Sequence, residues 1–317
     1  MNKKLLIPFI ALLSLSSCSN NVELSNRYFY FDTFLDVKMF EGNEGDMSFF
    51  ANDMREYDAL CDNYQARDLT NIYTINHTNE DVVLDSRLYY LLQETYSTQS
   101  DEANYFNYLC GSLPKKWKNA LNSQQILDEN EINNELEKMN NSSIIFKDQC
   151  TVQRVGEAEI DLGAVAKGFA LDLAKGYFSR LNYKKYIVNA GNSSILLGEK
   201  NTNDGLFNIR IDDLENSYLK LKNCFVSTSS ISVQGVTIGN VTYSHIINPI
   251  TGSAINENDA VIVISDKGWY GDIMSTSMMM NTIEEIKAIE LKCGIKAIVI
   301  RDHKIVYKNE SIEVYHR

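Results

Sequence analysis

The first group of residues that could do chemistry spans Asp161 to Gly168, with the sequence DLGAVAKG. We predict that a strand ends at Asp161 and that a helix begins near Ala164, with Gly163 letting a ligand approach the backbone closely. The first N–H groups of that helix would attract an anion, and Lys167 would add a positive charge. The segment is a candidate phosphate site, although it has neither the Walker A nor the dinucleotide-binding pattern. Taken alone, the segment fits an ordinary strand–helix connection with a solvated lysine better than it fits a phosphate site.

The second candidate is His245, which lies in YSHIINPITG, the segment from Tyr243 to Gly252. The residues around it have strand character, and a turn follows at Asn248-Pro249. A histidine titrates near neutral pH and can accept or donate a proton during catalysis. A structural histidine is the alternative interpretation.

The third candidate is the pair Asp272 and Thr276 in GDIMST, at the predicted start of a helix. Residues four apart share one face of a helix. A carboxylate and a hydroxyl are hard oxygen donors of the kind that Mg²⁺ binds. The alternative is that Asp272 caps the helix and that Thr276 is buried, and this pair alone favours that alternative.

The elements that would position these residues form a mixture of helices and strands without an internal repeat. The predicted helices span 45–62, 85–97, 128–139, 164–181, 271–280 and 283–293. The predicted strands span 27–40, 144–146, 151–155, 186–189, 195–197, 207–211, 219–221, 260–265, 297–301 and 305–308. Small and amide residues at 189–192 and 227–230 are each predicted to follow a strand and to leave room for a ligand. This pattern predicts an α+β fold.

Composition limits the function. The chain has 317 residues, is 44% hydrophobic and has a net charge of −12, so it can bury a large core and its surface repels nucleic acid. We therefore predict no nucleic-acid partner. A phosphate-bearing substrate would need a local cation, a helix N-terminus or a metal. Six widely spaced cysteines without a CxxC pattern argue against a disulfide framework or a zinc site.

The N-terminus has the features of a secretion signal. Lys3 and Lys4 precede an apolar run that ends at Leu15, which is shorter than the roughly 20 residues that span a bilayer. The sequence Leu-Ser-Ser-Cys at its end resembles a lipobox, in which Cys18 is acylated. We predict a signal peptide over 1–17, a lipid-anchored tether over 18–26 and one catalytic domain over 27–317. The protein would be held on the extracytoplasmic face of the cell membrane. A plain secretory signal is the alternative.

The order of the motifs carries more information than any one of them. DLGAVAKG, IVNAGN, VSTSS, YSHIINPITG and GDIMST follow one another as in the ApbE family of FAD:protein FMN transferases, which this sequence resembles. The resemblance extends upstream, to FYFDTF at 29–34, to DNY at 62–64 with NIYTIN at 71–76, and to NYFN at 104–107 with Gly111 and Trp117. It covers nearly the whole chain after residue 26.

The resemblance implies an activity, because family members bind FAD and Mg²⁺. They transfer FMN through a phosphoester to a Thr side chain of a membrane redox subunit, and AMP is released. Some members instead hydrolyse FAD to FMN and AMP. The resemblance thus implies an ApbE-like domain that acts on FAD and on the acceptor subunit of a redox complex.

The resemblance also implies site residues. The Mg²⁺ ligands would be Asp272, Thr276 and the backbone carbonyl of Ala164. The FAD contacts would come from Phe31, Tyr64, Tyr105, Phe106, Asn107, Asp161 and Lys167, with His245 alongside. We take His245 as the candidate base that deprotonates the acceptor hydroxyl.

Three positions depart from the family pattern. Asn248 stands where the family has Asp, and Asn192 and Ser230 stand where it has Gly. Loss of the Asp removes a carboxylate near the proposed base, and loss of the glycines could narrow the FAD cleft. Two alternatives remain: an FAD pyrophosphatase with the same site, and a non-catalytic flavin-binding lipoprotein. The presence of Asp272 and Thr276 favours the enzymes.

Overall fold

A computed structural model describes residues 23–231, 236–239, 241–255 and 258–316. The predicted signal peptide, Cys18 and residues 19–22 of the predicted tether lie outside these ranges. No helix within the described ranges is long and apolar enough to cross a bilayer. The five cysteines within them are unpaired.

The described residues form a mixed fold of helices and antiparallel strands. The helices are α1 Glu44–Cys61, α2 Ile72–Asn76, α3 Ser86–Asp101, α4 Ser112–Asn122, α5 Glu129–Asn140, α6 Ala166–Arg180, α7 Gly268–Met278 and α8 Ile283–Cys293. The strands are β1 Leu24–Tyr30, β2 Thr33–Met39, β3 Asp81–Val83, β4 Ser143–Phe146, β5 Thr151–Val155, β6 Tyr186–Ala190, β7 Ser194–Leu197, β8 Phe207–Arg210, β9 Ser217–Leu221, β10 Cys224–Ser230, β11 Val236–Ile238, β12 Val241–Tyr243, β13 Ala260–Ser265, β14 Lys296–Arg301, β15 Lys304–Lys308 and β16 Tyr315–His316. The predicted α+β class is confirmed.

A central antiparallel sheet organises the fold, with the strand order β1-β2-β6-β7-β10-β13-β14-β15. Its middle strands are buried on both faces, so that Val261 and Val263 face one core and Ile262 faces a second. The first core includes residues of α1, α6 and α7, and the second includes Ile209 and Leu219 of the sheet β16-β9-β8. Burial on both faces explains why the sequence of β13 is an almost continuous run of apolar residues.

The strand predicted over 27–40 is wrong, because it is two strands joined by a tight turn. Phe31 and Asp32 form the turn with φ angles of +54° and +55°, and Tyr30 pairs with Thr33 across it. A left-handed Phe is unfavourable. The Phe31 N–H donates to Asp58 Oδ1 at 2.7 Å, and the ring lies 5.7 Å from that of Tyr57. These contacts from α1 hold a turn that the sequence does not signal with Gly or Asn.

Several predicted boundaries near the candidate site also need correction. No strand leads into DLGAVAKG, because β5 ends at Val155, and α6 begins at Ala166 rather than Ala164. Residues 227–230 lie inside β10 rather than after a strand, and β12 ends two residues before His245. Helix α7 begins at Gly268, which places Asp272 in its second turn. Regular periodicity locates an element better than it locates its ends.

Candidate functional site

Asp272 lies at the centre of a buried polar cluster between α7, β7 and β10. Its side chain is only 5% exposed. The carboxylate accepts from Ser227 Oγ at 2.6 Å, from Ser194 Oγ at 2.9 and 3.0 Å, and from the Gly168 N–H at 2.7 Å. A buried carboxylate requires such partners, because water cannot solvate its charge. We call Asp272, Ser194, Ser227, Ser229 and Thr276 the Asp272 cluster.

Thr276 extends this cluster by one helical turn. Its Oγ1 donates to the Asp272 carbonyl at 3.1 Å and lies 3.1 Å from Ser229 Oγ. Asp272 contacts Ser227 and Thr276 contacts Ser229, so both side chains face β10, as the spacing of four predicts. The cluster therefore lines up hydroxyl and carboxylate oxygens between one strand and one helix.

Glycines allow the backbones around the cluster to approach this closely. A Cβ on Gly168 would lie 2.3 Å from the Gly268 carbonyl oxygen, and a Cβ on Gly268 would lie 2.2 Å from that of Gly168. A Cβ on Gly271 would lie 2.6 Å from Ser265 Oγ. The contacts of Gly168 and Gly268 are with backbone atoms and exclude a side chain there without a backbone shift, so α6 and α7 cross at direct backbone contact. That contact brings the Gly168 N–H to Asp272.

Burial is the main cause of the shifted pKa of Asp272. It raises the pKa of the carboxyl to about 6, although Lys167 and the hydrogen bonds from Ser227, Ser194 and Gly168 act against the rise. Lys167 is the second residue of α6, and its Nζ donates to the Gly163 carbonyl at 3.3 Å. A raised pKa means that ionised Asp272 is held at a cost, which a nearby cation would reduce.

Lys167 also links the cluster to His245. The pKa of His245 is lowered, first because the surrounding protein desolvates the imidazolium and then because Lys167 is positive. The side chain of His245 nevertheless remains exposed. A histidine with a lowered pKa is neutral at neutral pH, which is the state that a general base requires.

The predicted anion site at the start of α6 is only partly open. The Ala166 N–H already donates to the Leu162 carbonyl at 2.8 Å, and the Gly168 N–H donates to Asp272. The expectation that the first N–H groups are free is therefore wrong for these two. The Lys167 ammonium is a further group that could attract a phosphate.

Asp161 lies beside the loop that contains Tyr105, Phe106 and Asn107. Its N–H donates to the Tyr108 carbonyl at 2.8 Å, and its Oδ1 accepts from the Gly163 N–H at 2.6 Å. Desolvation raises its pKa, while Lys115 and Lys167 lower it. Tyr108 thus connects this loop to the segment that leads into α6.

The three loop residues have different surroundings. The Tyr105 N–H donates to Ser277 Oγ of α7 at 3.3 Å, which ties the loop to the helix of Asp272. Asn107 Oδ1 accepts from the Leu109 N–H at 2.9 Å and stabilises the loop itself. Phe106 is 6% exposed and belongs to the hydrophobic core, which leaves little of its ring to a ligand.

Tyr64 and the Phe31 turn lie on the same side as Asp161. Tyr64 is 60% exposed, and Lys115 Nζ lies 5.2 Å from its ring centroid. The pKa of Tyr64 is raised by desolvation and by the charges of Asp161 and Asp32, so both carboxylates lie within electrostatic reach of Tyr64. An exposed aromatic ring here offers a stacking surface for a flat ring system.

The structure thus connects most of the predicted residues through contacts or charges. Ala164 is exposed in the turn before α6. Sequence reasoning missed Ser194 altogether, and it noted Ser227 only as part of a small-residue segment. No local pattern signals such serines, because their role depends on strand pairing between β7 and β10.

The three departures from the family pattern have structural explanations. Asn248 Oδ1 accepts from the Ile250 and Thr251 N–H groups at 2.9 and 3.2 Å, a turn contact that an Asp oxygen would also make. Asn192 has a φ of +60°, a conformation that Asn tolerates better than other non-glycine residues. Ser230 is buried, and its hydroxyl donates to Asp213 at 3.1 Å.

The fold and the site together define a class: an α+β protein with a buried carboxylate–hydroxyl cluster beside a lysine-bearing helix start. The model of the ApbE family matches residues 31–299. The chain belongs to the ApbE family.

Individual relatives agree with this assignment. An FAD:protein FMN transferase of Klebsiella pneumoniae is 26% identical over 241 residues, which cover 74% of this chain and 75% of the relative. The crystal structure of an ApbE protein from Thermotoga maritima is similar with a TM-score of 0.76 at 21% identity, over 93% of this chain and 97% of that one. The flavin transferase ApbE from Vibrio cholerae is similar with a TM-score of 0.74 at 17% identity, over 92% and 98%.

Proposed function

We propose that this protein transfers the FMN moiety of FAD to a Thr hydroxyl of an acceptor redox protein in a Mg²⁺-dependent reaction that releases AMP. The observation that carries the proposal is the Asp272 cluster, which lies within electrostatic reach of Lys167. Membership in the ApbE family and the relative named FAD:protein FMN transferase support the choice of substrate.

The chemistry of the cluster fits Mg²⁺. Asp272 and Thr276 supply hard oxygens, and the carboxylate is buried with a pKa raised to about 6. Its hydrogen bonds come from three donors, whereas a carboxylate has about four acceptor positions. Asp272, Thr276 and the Ala164 carbonyl would hold the ion. When bound, it would neutralise charge on the pyrophosphate of FAD.

The other residues would bind the substrate and move a proton. Lys167 would attract the phosphates, and the exposed ring of Tyr64 would stack on a flat ring of FAD. His245 would take the proton from the acceptor hydroxyl as that oxygen attacks the FMN-side phosphorus, since its lowered pKa keeps it neutral. Its exposure lets a protein side chain reach it.

The same exposure supports a second function, hydrolysis of FAD to FMN and AMP, because water also reaches an exposed histidine. A third function, flavin binding without turnover, gives no role to Asp272 and Thr276 as metal ligands in catalysis. One assay separates all three: incubation with FAD, Mg²⁺ and an acceptor domain, followed by AMP measurement and in-gel flavin fluorescence. AMP with a fluorescent acceptor supports transfer, and AMP alone supports hydrolysis. Tight FAD binding without AMP contradicts both enzymatic functions.

We further propose that Cys18 is lipidated and holds the protein on the extracytoplasmic face of the cell membrane. The sequence pattern around Cys18 supports this location. Such an anchor would keep the site close to an acceptor subunit of a membrane redox complex. Several acyl chains give a firm anchor, whereas a single chain gives a marginal one.

A further inference from the structure

Helices α6 and α7 share an unusual feature at their N-termini. The N-cap residue of α6 is Val165 and that of α7 is Lys267, and neither makes a side-chain capping hydrogen bond. The first N–H groups of a helix need acceptors, and a local Ser, Thr, Asp or Asn normally supplies one. Among the described helices, α1, α2, α3, α5 and α8 have such a local cap, whereas α4, which begins after Gly111, has none. Helices α6 and α7 must find acceptors elsewhere.

Each of the two helices is capped by a carboxylate of the other. Asp172 of α6 accepts from the Trp269 N–H at 2.9 Å and also from the Gly268 N–H, the first two residues of α7. Asp272 of α7 accepts from the Gly168 N–H at 2.7 Å, the third residue of α6. Trp269 is the second residue of α7 and Gly168 is the third residue of α6, and these are the positions that an N-cap side chain normally serves. The helices therefore exchange caps.

This reciprocal capping requires the observed crossing of the two helices. Gly168 and Gly268 meet there in backbone contact, so each helix start lies beside a carboxylate from the second turn of its partner. The negative carboxylates also face the positive ends of the helix dipoles. The two caps and the glycine contact together fix how far α7 reaches along α6.

We infer that Asp172 is a positioning residue, which fixes the start of α7 so that Asp272 reaches the start of α6 and Thr276 stays beside Ser229 of β10. The inference rests on the proposed function, because it assigns Asp172 to the geometry of the same site. Asp272 serves both as a cap and as the proposed metal ligand, so an ion would compete with Gly168 for its oxygens. The described hydrogen bonds of Asp172 are to the start of α7, whereas the hydroxyls of the Asp272 cluster bond to Asp272, so Asp172 would hold the two helices together while Asp272 binds an ion.

The test compares Asp172→Ala with Asp128→Ala in the full-length protein. Asp128 is the local cap of α5 and accepts from the Asn130 N–H at 2.9 Å, so its loss removes a cap of the same kind away from α6 and α7. The readouts are the affinity for Mn²⁺ alone, measured by electron paramagnetic resonance, and amide hydrogen exchange. Neither readout requires turnover, so both remain valid if the proposed transfer reaction is wrong.

We expect Asp172→Ala to weaken Mn²⁺ binding by about 10- to 100-fold, the range for residues that orient a metal ligand. Asp128→Ala should leave the Mn²⁺ affinity unchanged. Exchange should accelerate in Asp172→Ala at Gly268 and Trp269 and also at Gly168, because the caps are reciprocal. Asp172→Asn should keep most of the Mn²⁺ affinity and most of the slow amide exchange, since Asn also caps helices.

Two results would overturn the inference. One is an Asp172→Ala variant whose faster exchange is confined to Gly268 and Trp269, with Gly168 unchanged. The other is unchanged Mn²⁺ affinity in that variant. If Asp172→Ala does not fold, Asp172→Asn is compared with the unsubstituted protein instead. Smaller changes in hydrogen exchange are then expected at the amides of Gly268, Trp269 and Gly168. If the unsubstituted protein binds no Mn²⁺, the proposed metal site fails, and exchange at Gly168 alone decides the role of Asp172.

Discussion

At the scale of single residues, Asp272 has conflicting requirements. Its carboxylate is buried and its pKa is raised to about 6, so the ionised form destabilises the metal-free fold. Three hydrogen-bond donors reduce this cost without removing it. A carboxylate kept charged in a dry cluster of hydroxyls is a feature of binding sites more than of cores.

The substitution Asp272→Asn should therefore separate stability from function. A carboxyl whose pKa is raised on folding costs stability above its folded pKa, and the cost disappears as pH falls below its unfolded pKa of about 3.9. Without metal, the variant should be more stable than the unsubstituted protein at pH 8, by up to about 3 kcal/mol. The gain should shrink below pH 6 and disappear near pH 4. Urea unfolding across this range measures it, and equal stability at pH 8 would contradict the assignment.

The same variant should lose Mg²⁺-dependent turnover. Metal ligation contributes several kcal/mol to the stabilisation of a transition state, so AMP release should fall by at least about 100-fold. Addition of Mg²⁺ should raise the melting temperature of the unsubstituted protein and not that of Asp272→Asn. Unchanged turnover in the variant would remove Asp272 from the metal site.

His245→Ala should slow transfer by about 10²- to 10⁴-fold and leave FAD bound. The pKa of His245 lies below its usual value, so kcat/KM should stay constant through neutral pH and fall only at a pH below the range in which an ordinary histidine is protonated. His245→Ala should flatten this acid limb. The profiles are measured at saturating Mg²⁺, which keeps Asp272 ionised. Release of FAD by the variant would instead show that His245 is a binding residue.

At the scale of elements, the sequence predicted many elements with a clear periodicity, although helix α4 was missed despite the spacing of Leu113, Trp117 and Leu121 on one face. Strand β13 and helix α8 have the predicted bounds, and β5 begins and ends as expected. The β1–β2 turn was missed because its positive φ angles are held by Asp58 and Tyr57, which are distant in sequence. The short helix α2 was missed because five residues contain little periodic signal.

In the candidate site, too, residues in local motifs could be predicted and residues that depend on distant contacts could not. Asp272, Thr276, Lys167 and His245 could be predicted because their motifs are local and ordered. Ser194 became visible only when β7 paired with β10, and Asp172 only when α6 crossed α7. Contacts between distant segments therefore account for what the sequence could not predict.

The crossing of α6 and α7 gives a prediction with a matched control. A Cβ at Gly168 would clash with the Gly268 backbone, whereas a Cβ at Gly176 on the same helix would meet only Arg180 Nη1 at 3.9 Å. Gly168→Ala should destabilise the protein by about 1–3 kcal/mol or more, because backbone must move. Gly176→Ala should stabilise it by up to about 1 kcal/mol through helix propensity. Urea unfolding measures both, and equal effects would contradict close contact at Gly168.

At the scale of the whole molecule, one acidic chain combines the proposed anchor with the proposed site. The net charge of −12 repels anions on average, so binding of FAD would depend on local positive groups such as Lys167 and the proposed cation. The central sheet supports this arrangement, since β7 and β10 supply serines while α6 and α7 pack on one face. The site is thus built from segments more than 100 residues apart in sequence, Gly168 and Asp272 among them.

Cys18→Ser should release the protein from membranes without changing its chemistry. Cys18 lies outside the described domain, so transfer to a soluble acceptor domain should proceed at the unsubstituted rate. Fractionation of cells followed by immunoblotting measures the distribution, with the unsubstituted protein expected in the membrane fraction. Retention of Cys18→Ser in that fraction would contradict lipidation as the anchor.

The most direct test of the proposed function is the intact mass of an acceptor domain after incubation with this protein, FAD and Mg²⁺. We predict that the acceptor gains the mass of one FMN, that a variant with its target Thr replaced by Ala gains nothing, and that AMP appears in equal amount. The acceptor should also remain unmodified with Asp272→Asn. An acceptor of unchanged mass in the presence of bound FAD would contradict the assignment as a flavin transferase.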